Sequence, residues 1–492
     1  MDFLDPDKKK KHVRRLYFGY FLVAVAIILA SVVLLFQALG YDLDRKTGQV
    51  IQNGLIFFDS QPESATIYLN GEDKGQTASR LTVPAGQYTA ELRRSGYKTW
   101  KRSFNLEGSS IERLVYPVLF PEKLNTQELR AYGGVTGFAT QSPDRQWILT
   151  QKPGSLTLFE QIDANKPKDP VREVAVPVGV LTASPGEHAL KAVEWSTDNR
   201  HVLLQHIYKD GTEFVMIDRE TPASSFNVNK LFAQNPSKVS LRDKKYDQLY
   251  LYDSTARTLQ RADAKTKQVA PLLSGVLAYK SYGADTLLYA ATDSTKPDAT
   301  VVRIRDGDKT YPLRSYINAG EFHLDITRFD EQWYAVVGAT NEGRVSIYKN
   351  PMTRSKNSAN GLPQAHTVLI MKDPRQVLFS ANARFILTQN GNQFAIYDAE
   401  TNRRHYYAVD LPISAELKAT WMDGHRLLVN TQSNVHVFDF DGINQRQLVR
   451  ISPDTVPFFD RDYNRLYTLA PSSSSADKTT LTYTPLKTDL KD

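Results

Sequence analysis

The sequence predicts an all-β extracytoplasmic part that is held by a single N-terminal membrane helix. Three observations lead to this fold class. Near the N-terminus, residues 16–41 form an apolar run without a charged side chain. Behind it, apolar and polar residues alternate with the period of two that is typical of strands. From about residue 130 onwards one strand-rich unit recurs, and a recurring unit indicates a repeat architecture.

Composition excludes several classes of protein. The chain has 492 residues, of which 41% are hydrophobic and 23% charged, as in ordinary globular domains. It has no cysteine, which excludes disulfides, thiolate metal sites and a cysteine nucleophile. The net charge is +7, but the first 15 residues contain six Lys or Arg against three Asp. Because the rest of the chain is nearly balanced, we expect no nucleic-acid partner.

The apolar run of residues 16–41 predicts a transmembrane helix. As a helix it is about 39 Å long, enough to cross a hydrocarbon core of about 30 Å. The basic segment 1–15 precedes it, and positively charged flanks stay in the cytoplasm. We therefore expect a type II, single-pass protein that contacts the lipid bilayer through residues 16–41 and has its C-terminal bulk outside the cell membrane.

A cleaved signal peptide is the alternative for this segment, because small residues occur at Ala38 and Gly40. Signal peptides carry about 7 to 15 apolar residues, and the run here is longer. The sequence thus favours an uncleaved signal anchor. No second apolar stretch of similar length follows.

After a polar stalk at residues 42–52, residues 53–121 predict a small β-sandwich of five or six strands. Asn70-Gly71 is a strong hairpin signal, because both central residues of a type I′ turn need positive φ. The turn and strand motifs are Ser60-Gln61-Pro62, Leu69-Asn70-Gly71, Gly75-Gln76-Thr77, Pro84-Ala85-Gly86-Gln87-Tyr88 and Gly96-Tyr97. On these motifs the segment resembles the PEGA domain family.

The resemblance implies an extracytoplasmic surface module with no catalytic residues. The segment departs from the family pattern at Ala85 and Gln87, where the name-giving motif has Glu and Ala, and at Ala78, where proline is common. The turn glycines are kept, so the departures leave the predicted fold unchanged.

Residues 130–488 repeat a polar turn, an apolar strand, a second turn and a second strand, at a mean spacing of about 46 residues that suits propeller blades. Eight apolar anchors mark the copies: Trp147, Val202, Leu249, Leu287, Trp333, Phe385, Leu427 and Leu466. We predict a β-propeller of seven or eight blades and favour eight, although a blade shared by the first and last strands would lower the count. A row of separate sandwiches would need linkers, which the sequence lacks.

The repeat resembles TolB-like and WD40-like propellers at three places in this sequence. These are Ser142-Pro143-Asp144, residues 195–199 and residues 439–444. The pattern contains no helical segment.

Known catalytic and metal motifs are absent from the sequence, so we predict no catalytic, cofactor-binding or metal-ligating residues. His201 and His206 lie five apart on one strand and should point to opposite faces. The turns at Asp460 and Asp439 start like calcium loops but lack the later ligands, and we interpret them as structural. Gly133, Gly134 and Gly137 are interpreted as a linker before the repeat.

Three functions remain open. We expect a binding or scaffolding protein of a bacterial-type cell envelope, whose propeller face recognises an envelope protein or a glycan. The alternatives are a glycan lyase or hydrolase with its site in the central depression, and a subunit of an envelope assembly or secretion complex. Axial acids with His or Tyr would favour an enzyme, whereas an exposed apolar or aromatic patch, such as one including residues 403–407, would favour binding. The oligomeric state is left open.

Overall fold

The computed structural model divides into two compact units, Met1–Glu122 and Lys123–Asp492. The described residues are 6–38, 40–43, 50–136, 138–293, 296, 298–354, 362–431, 433–453, 455–472 and 478–488.

The first unit begins with helix α1 (Pro6–Ala38). Its part Lys9–Ala38 is long and apolar enough to cross a membrane, and its side chains are not buried by the rest of the protein. Such a helix is either an anchor or a signal sequence. The helix starts ten residues before the predicted position, because the basic segment consists largely of Lys and Arg, which are good helix formers.

Two four-stranded sheets follow the helix. One has the order β1-β2-β5, with β8 parallel to β2, and the other has the order β4-β3-β6-β7. Both contribute to one core, in which Ile56 and Phe58 of the first sheet meet Ile67 and Leu92 of the second. The strands are β1 (Tyr41–Leu43), β2 (Val50–Phe58), β3 (Thr66–Leu69), β4 (Glu72–Gln76), β5 (Ser79–Pro84), β6 (Gly86–Arg93), β7 (Trp100–Leu106) and β8 (Ile111–Leu114).

The local predictions for this unit are partly right. The Asn70-Gly71 hairpin is confirmed, since both residues have positive φ and Leu69 pairs with Glu72. The predicted stalk is wrong in part, because β1 pairs with β2 inside it. Strand β4 was missed because all five of its residues are exposed and polar or glycine, so it lacks the alternation that marks a half-buried strand.

In the described part of the second unit, 32 strands form eight antiparallel four-stranded sheets. The first four strands after β9 (Gln127–Ala131) form sheet 1, and sheets 2 to 7 follow in chain order. The strands of sheets 1 to 4 are β10 (Ala139–Gln141), β11 (Trp147–Gln151), β12 (Leu158–Asp163), β13 (Arg172–Ala175), β14 (Ala189–Trp195), β15 (His201–Tyr208), β16 (Gly211–Asp218), β17 (Phe226–Asn227), β18 (Lys238–Leu241), β19 (Gln248–Asp253), β20 (Thr258–Asp263), β21 (Gln268–Leu273), β22 (Val276–Tyr282), β23 (Thr286–Thr292), β24 (Ala299–Asp306) and β25 (Lys309–Ile317).

Sheet 8 contains the last three strands and, as its fourth strand, β9 from the start of the unit. The strands of sheets 5 to 8 are β26 (Phe322–Phe329), β27 (Gln332–Ala339), β28 (Arg344–Lys349), β29 (Thr367–Ile370), β30 (Gln376–Phe379), β31 (Phe385–Asn390), β32 (Gln393–Asp398), β33 (Arg403–Ala408), β34 (Thr420–Trp421), β35 (Arg426–Thr431), β36 (Asn434–Asp439), β37 (Arg446–Arg450), β38 (Phe458–Phe459), β39 (Arg465–Pro471) and β40 (Thr479–Pro485).

Apolar clusters join consecutive sheets. Sheet 1 packs on sheet 2 through Leu149 and Leu204, and similar clusters join sheets 2 to 6. Sheet 8 packs on sheet 1 through Tyr467 and Ile148, so the last sheet contacts the first. First strands of neighbouring sheets also contact each other, as β22 and β26 do, and we call them the inner strands. This arrangement is propeller-like, and stacking buries both apolar faces of each sheet.

All eight predicted anchors lie in the second strands of the eight sheets. The predicted absence of helix is wrong in detail, because α2 (Val228–Phe232) and α3 (Pro351–Arg354) interrupt the strands. Helix α2 is capped by Asn227, whose side chain accepts from the Lys230 N–H. Five residues are too few to give a helical period.

Candidate recognition site

The sheets of the second unit present two different ends. Because each sheet is antiparallel and sequential, its first and third turns lie at one end, which we call the turn face. The second turn and the connections between sheets lie at the opposite end, which we call the entry face. The two faces differ in how their polar groups are used.

On the turn face, carboxylates close the turns between third and fourth strands. Six third strands end in aspartate: Asp163, Asp218, Asp263, Asp306, Asp398 and Asp439. In four of these turns the carboxylate accepts from the backbone N–H two residues later, at 2.8 to 3.0 Å. Such Asx contacts satisfy donors that a tight turn would leave free.

The same carboxylates also hold the second strands. Asp398 accepts from the Arg384 Nε at 2.9 Å, and Asp218 accepts from the Arg200 Nε at 2.7 Å. Hydrogen bonds from Arg384 lower the pKa of Asp398 although burial acts to raise it. The ionised carboxylates are therefore part of the framework.

Neighbouring first turns are linked to each other on this face. Asp144 N donates to Asn199 Oδ1 at 3.0 Å, and Thr197 N donates to Lys244 O at 3.0 Å. Across the junction between the end and the start of the repeat, the Arg145 guanidinium stacks over the Tyr463 ring at 4.0 Å. These contacts hold the first turns of sheets 8, 1, 2 and 3 together on the turn face.

The entry face has two cavities and most of the exposed apolar side chains. One cavity of about 450 Å³ lies between sheets 1 and 2, and another of about 470 Å³ lies between sheets 7 and 8. Eight large apolar or aromatic side chains are exposed in the described part of this unit. Five are on the entry face: Val135, Val178, Ile317, Ile370 and Val456.

A buried chain of three hydrogen bonds borders the first cavity. His206 Nδ1 lies 2.9 Å from Glu213 Oε1, and His206 Nε2 lies 2.8 Å from His188 Nδ1. His188 Nε2 in turn lies 2.8 Å from Ser184 O. His188 lines the cavity, while His206 and Glu213 are buried.

The proton count of this chain follows from its geometry. Three hydrogen bonds need three protons, and two neutral imidazoles supply only two. Burial acts to raise the pKa of Glu213, but hydrogen bonds, chiefly from Thr182, outweigh it and lower that pKa. Burial lowers the pKa of His206, although its hydrogen bond with Glu213 acts to raise it. When both imidazoles are neutral, two of the three contacts carry a proton.

The acids of the inner strands bridge neighbouring sheets. Glu194 accepts from the Leu241 N–H at 2.7 Å and from Lys244. Asp325 accepts from the Phe379 N–H at 3.1 Å and pairs with Lys280 at 3.2 Å. Carboxylates engaged in this way stabilise the contacts between sheets and are not free to act as an acid and base pair.

The turns that start like calcium loops hold backbone groups. Asp460 Oδ1 accepts from the Asn464 N–H at 2.6 Å and from the Arg465 N–H at 3.0 Å. Asp439 Oδ2 accepts from Asn444 Nδ2 at 2.9 Å. No cluster of three or more metal-ligating side chains occurs among the described residues.

His201 and His206 have separate surroundings, as their spacing predicts. His201 Nδ1 lies 2.6 Å from Asp198 Oδ2, and its ring stacks on Tyr246. His206, in contrast, contacts His188 and Glu213. Of the glycine cluster, Gly134 accepts from the Thr479 N–H and so belongs to the closure of the ring. Gly137 lies outside the described residues.

The aromatic and basic segment 403–407 lies on β33, the fourth strand of sheet 6. Tyr406 is half exposed, whereas Tyr407 stacks on Phe394 and contacts Phe438. Only part of this segment is therefore available to a partner. Sequence reasoning missed His188 and the Glu213 network, because residues 25 apart in the chain meet only through the connection between sheets.

One family model matches part of the first unit. Residues 53–113 match the PEGA domain model. No curated protein matches the chain.

Several solved structures resemble the chain at low identity. The Dos1 propeller is 12% identical, with a TM-score of 0.43 over 74% of this chain and 95% of that chain. The tricorn protease is 11% identical, with a TM-score of 0.39 over 73% of this chain and 38% of that chain. An oligogalacturonate lyase in complex with manganese is 12% identical, with a TM-score of 0.39 over 74% of this chain and 98% of that chain. We draw nothing on activity from matches of this size.

Proposed function

We propose that the protein is a membrane-anchored binding or scaffolding protein of the cell envelope. Its second unit would be an eight-bladed propeller, and the entry face would recognise an envelope partner. Eight four-stranded sheets, with β9 completing the last, support this blade count. The PEGA-like domain would be a spacer between α1 and the propeller.

The observation that carries the proposal is the difference between the two faces. Five of the eight large apolar or aromatic side chains exposed in the described part of the second unit lie on the entry face, beside cavities of about 450 and 470 Å³. Burial of exposed apolar groups by a partner lowers the free energy of the complex. Interaction sites are accordingly rich in such groups. Ile317 and Ile370 are 71% and 65% exposed at the ends of neighbouring fourth strands, so one partner can contact both.

Binding is favoured over catalysis because Glu194 and Asp325 are already engaged between sheets. A glycan hydrolase would need two carboxylates free to exchange protons and act on a sugar. No observation on the inner strands favours that alternative, so we do not propose it.

The test uses the full chain, extracted in detergent from cells after cross-linking. An I317K/I370K variant should lose the partner recovered with the unchanged protein. The matched control is L362K, because Leu362 is also exposed but lies in the connection between β28 and β29 on the turn face. It should keep the partner.

Loss of the partner from L362K with retention by I317K/I370K would place recognition elsewhere and contradict the proposal. Failure of all forms to recover a stoichiometric partner would also contradict scaffolding. Equal thermal unfolding of the three proteins ensures that the comparison reports on contact rather than on folding.

The proposed topology has its own test. Protease added to intact cells should digest the chain beyond about residue 45 and spare the segment 1–15, because basic flanks stay inside. Protection of the second unit, while a known surface protein is digested, would contradict the orientation. A mature N-terminus near Gly40 would show that α1 is a cleaved signal.

A further inference from the structure

Three consecutive inner strands each expose a lysine. They are Lys191 on β14, Lys238 on β18 and Lys280 on β22. Strands β14 and β18 contact each other, and Ser240 of β18 is hydrogen-bonded to Tyr279 of β22 at 2.9 Å. The three lysines therefore lie on adjoining strands of the inner surface, and Lys238 is the first residue of its strand, at the entry face.

Two carboxylates lie near these lysines, and neither forms an ion pair with Lys238 or Lys191. Glu194 pairs with Lys244, and Asp325 pairs with Lys280. Among the ion pairs of the described residues, none includes Lys191 or Lys238. The Lys238 ammonium instead lies 4.8 Å from the centroid of the Tyr279 ring, a cation–π contact that leaves the positive charge without an anionic partner.

This arrangement leaves Lys238 and Lys191 without an ion-pair partner, whereas Lys280 is paired with Asp325. Desolvation by the surrounding strands and the nearby charge of Lys280 lower the pKa of Lys238, and Glu194 opposes this only in part. An anion close to Lys238 would offset both effects.

A hydroxyl proton is available beside the lysine. Ser240 Oγ and Tyr279 Oη share one hydrogen bond, and two hydroxyls hold two protons. One proton is used between them, and the second can be donated to another acceptor. Lys238 and this hydroxyl pair together offer an ammonium and an O–H donor, which suit phosphate or carboxylate oxygens.

We propose that the inner strands of sheets 2 to 4 bind a ligand that carries at least two negative charges on phosphate or carboxylate groups, with Lys238 as its main contact. Lys191 adds long-range attraction from the neighbouring strand β14, and Lys280 is paired with Asp325. The inference rests on the proposed function, for which it names the class of ligand that enters from the entry face.

The experiment titrates the full chain in detergent with two probes, inorganic tripolyphosphate and citrate, by calorimetry. Binding by at least one probe is expected, and the better probe distinguishes phosphate from carboxylate. K238M should weaken binding tenfold or more, and K238R should retain it within about threefold because the charge is kept. K309M is the matched control, because Lys309 is an exposed lysine on the fourth strand β25, and it should bind within twofold of the unchanged protein.

A second measurement does not depend on a substitution. Acetylation of lysines, followed by mass spectrometry, should show that the bound probe protects Lys238 at least threefold and leaves Lys309 unprotected. Absence of binding by both probes would overturn the inference, as would equal affinities of K238M and K309M or equal protection of the two lysines.

The two proposals fail separately. If the anions bind but I317K/I370K keeps the partner, the entry-face proposal falls and the anion site remains. If the anions do not bind but that variant loses the partner, only the anion site falls.

Discussion

The turn face and the entry face of the second unit are built from the same strands but use their residues differently. On the turn face, aspartates at the ends of third strands accept backbone and arginine hydrogen bonds within the same sheet. On the entry face, cavities and exposed apolar side chains remain between the connections. The comparison indicates that polar contacts at one end stabilise the sheets, while the other end presents apolar surface, as the proposed recognition role requires.

The largest effect should come from the turn face. D398A removes a carboxylate that is 2% exposed and bound to Arg384 and Thr401. The Arg384 guanidinium would keep its ion pair with the more exposed Glu400 but lose its two hydrogen bonds to the buried carboxylate, so we expect a loss of about 3 kcal/mol of unfolding free energy. Chemical denaturation measures it. D308A is the control, since Asp308 is fully exposed, and it should change stability by less than about 0.5 kcal/mol. Equal losses of stability in D398A and D308A would contradict a stabilising role of the buried turn-face carboxylates.

Acid should weaken the turn face through His425. Burial lowers the pKa of this histidine from about 6.5 to about 4. Between these values the unfolded chain binds the proton and the folded protein does not, so stability falls as pH decreases from 6.5 to 4. We expect a contribution of about 2 kcal/mol. Denaturation at pH 7.5 and 4.5 should show a smaller acid loss in H425N, and an unchanged loss would contradict this assignment.

A smaller effect should come from the one buried polar network of the entry face described above. E213Q replaces the ionised acceptor of Thr182, His206 and Asn227, so the connection 176–188 should open more readily. We expect about 1 to 2 kcal/mol, seen as faster amide exchange in this connection.

E187Q is the control for this variant, because Glu187 is exposed on the same connection. Equal exchange in E213Q and E187Q would show that the network does not hold the connection. Faster exchange in E213Q alone would show that the Glu213 network holds this connection closed, unlike the rest of the entry face.

The sequence predicted much of the framework. The eight anchors all lie in second strands, because the sequence of each sheet repeats the same buried apolar strand at the same place. The Asn70-Gly71 hairpin follows from the φ preferences of these two residues. The structural interpretation of Asp460 also agrees with its contacts to Asn464 and Arg465, since Asx turns involve neighbours in the chain.

The candidate sites could not be predicted from the sequence. Lys238 and Lys309 are both exposed lysines that begin strands, and only the order of the sheets places one on an inner and the other on a fourth strand. His188 and Glu213 are likewise joined through His206 by the path of a connection. Strand alternation carries no information on such distant contacts.

By itself the sequence determined the apolar helix, the strand repeat and the turn residues, because hydrophobic periodicity and turn chemistry act between neighbours along the chain. Tertiary structure alone decided that β9 completes the last sheet, that the inner acids are engaged between sheets, and that Lys238 is left without a carboxylate. These features depend on which strands become adjacent when the sheets stack, and that packing joins residues up to hundreds of positions apart.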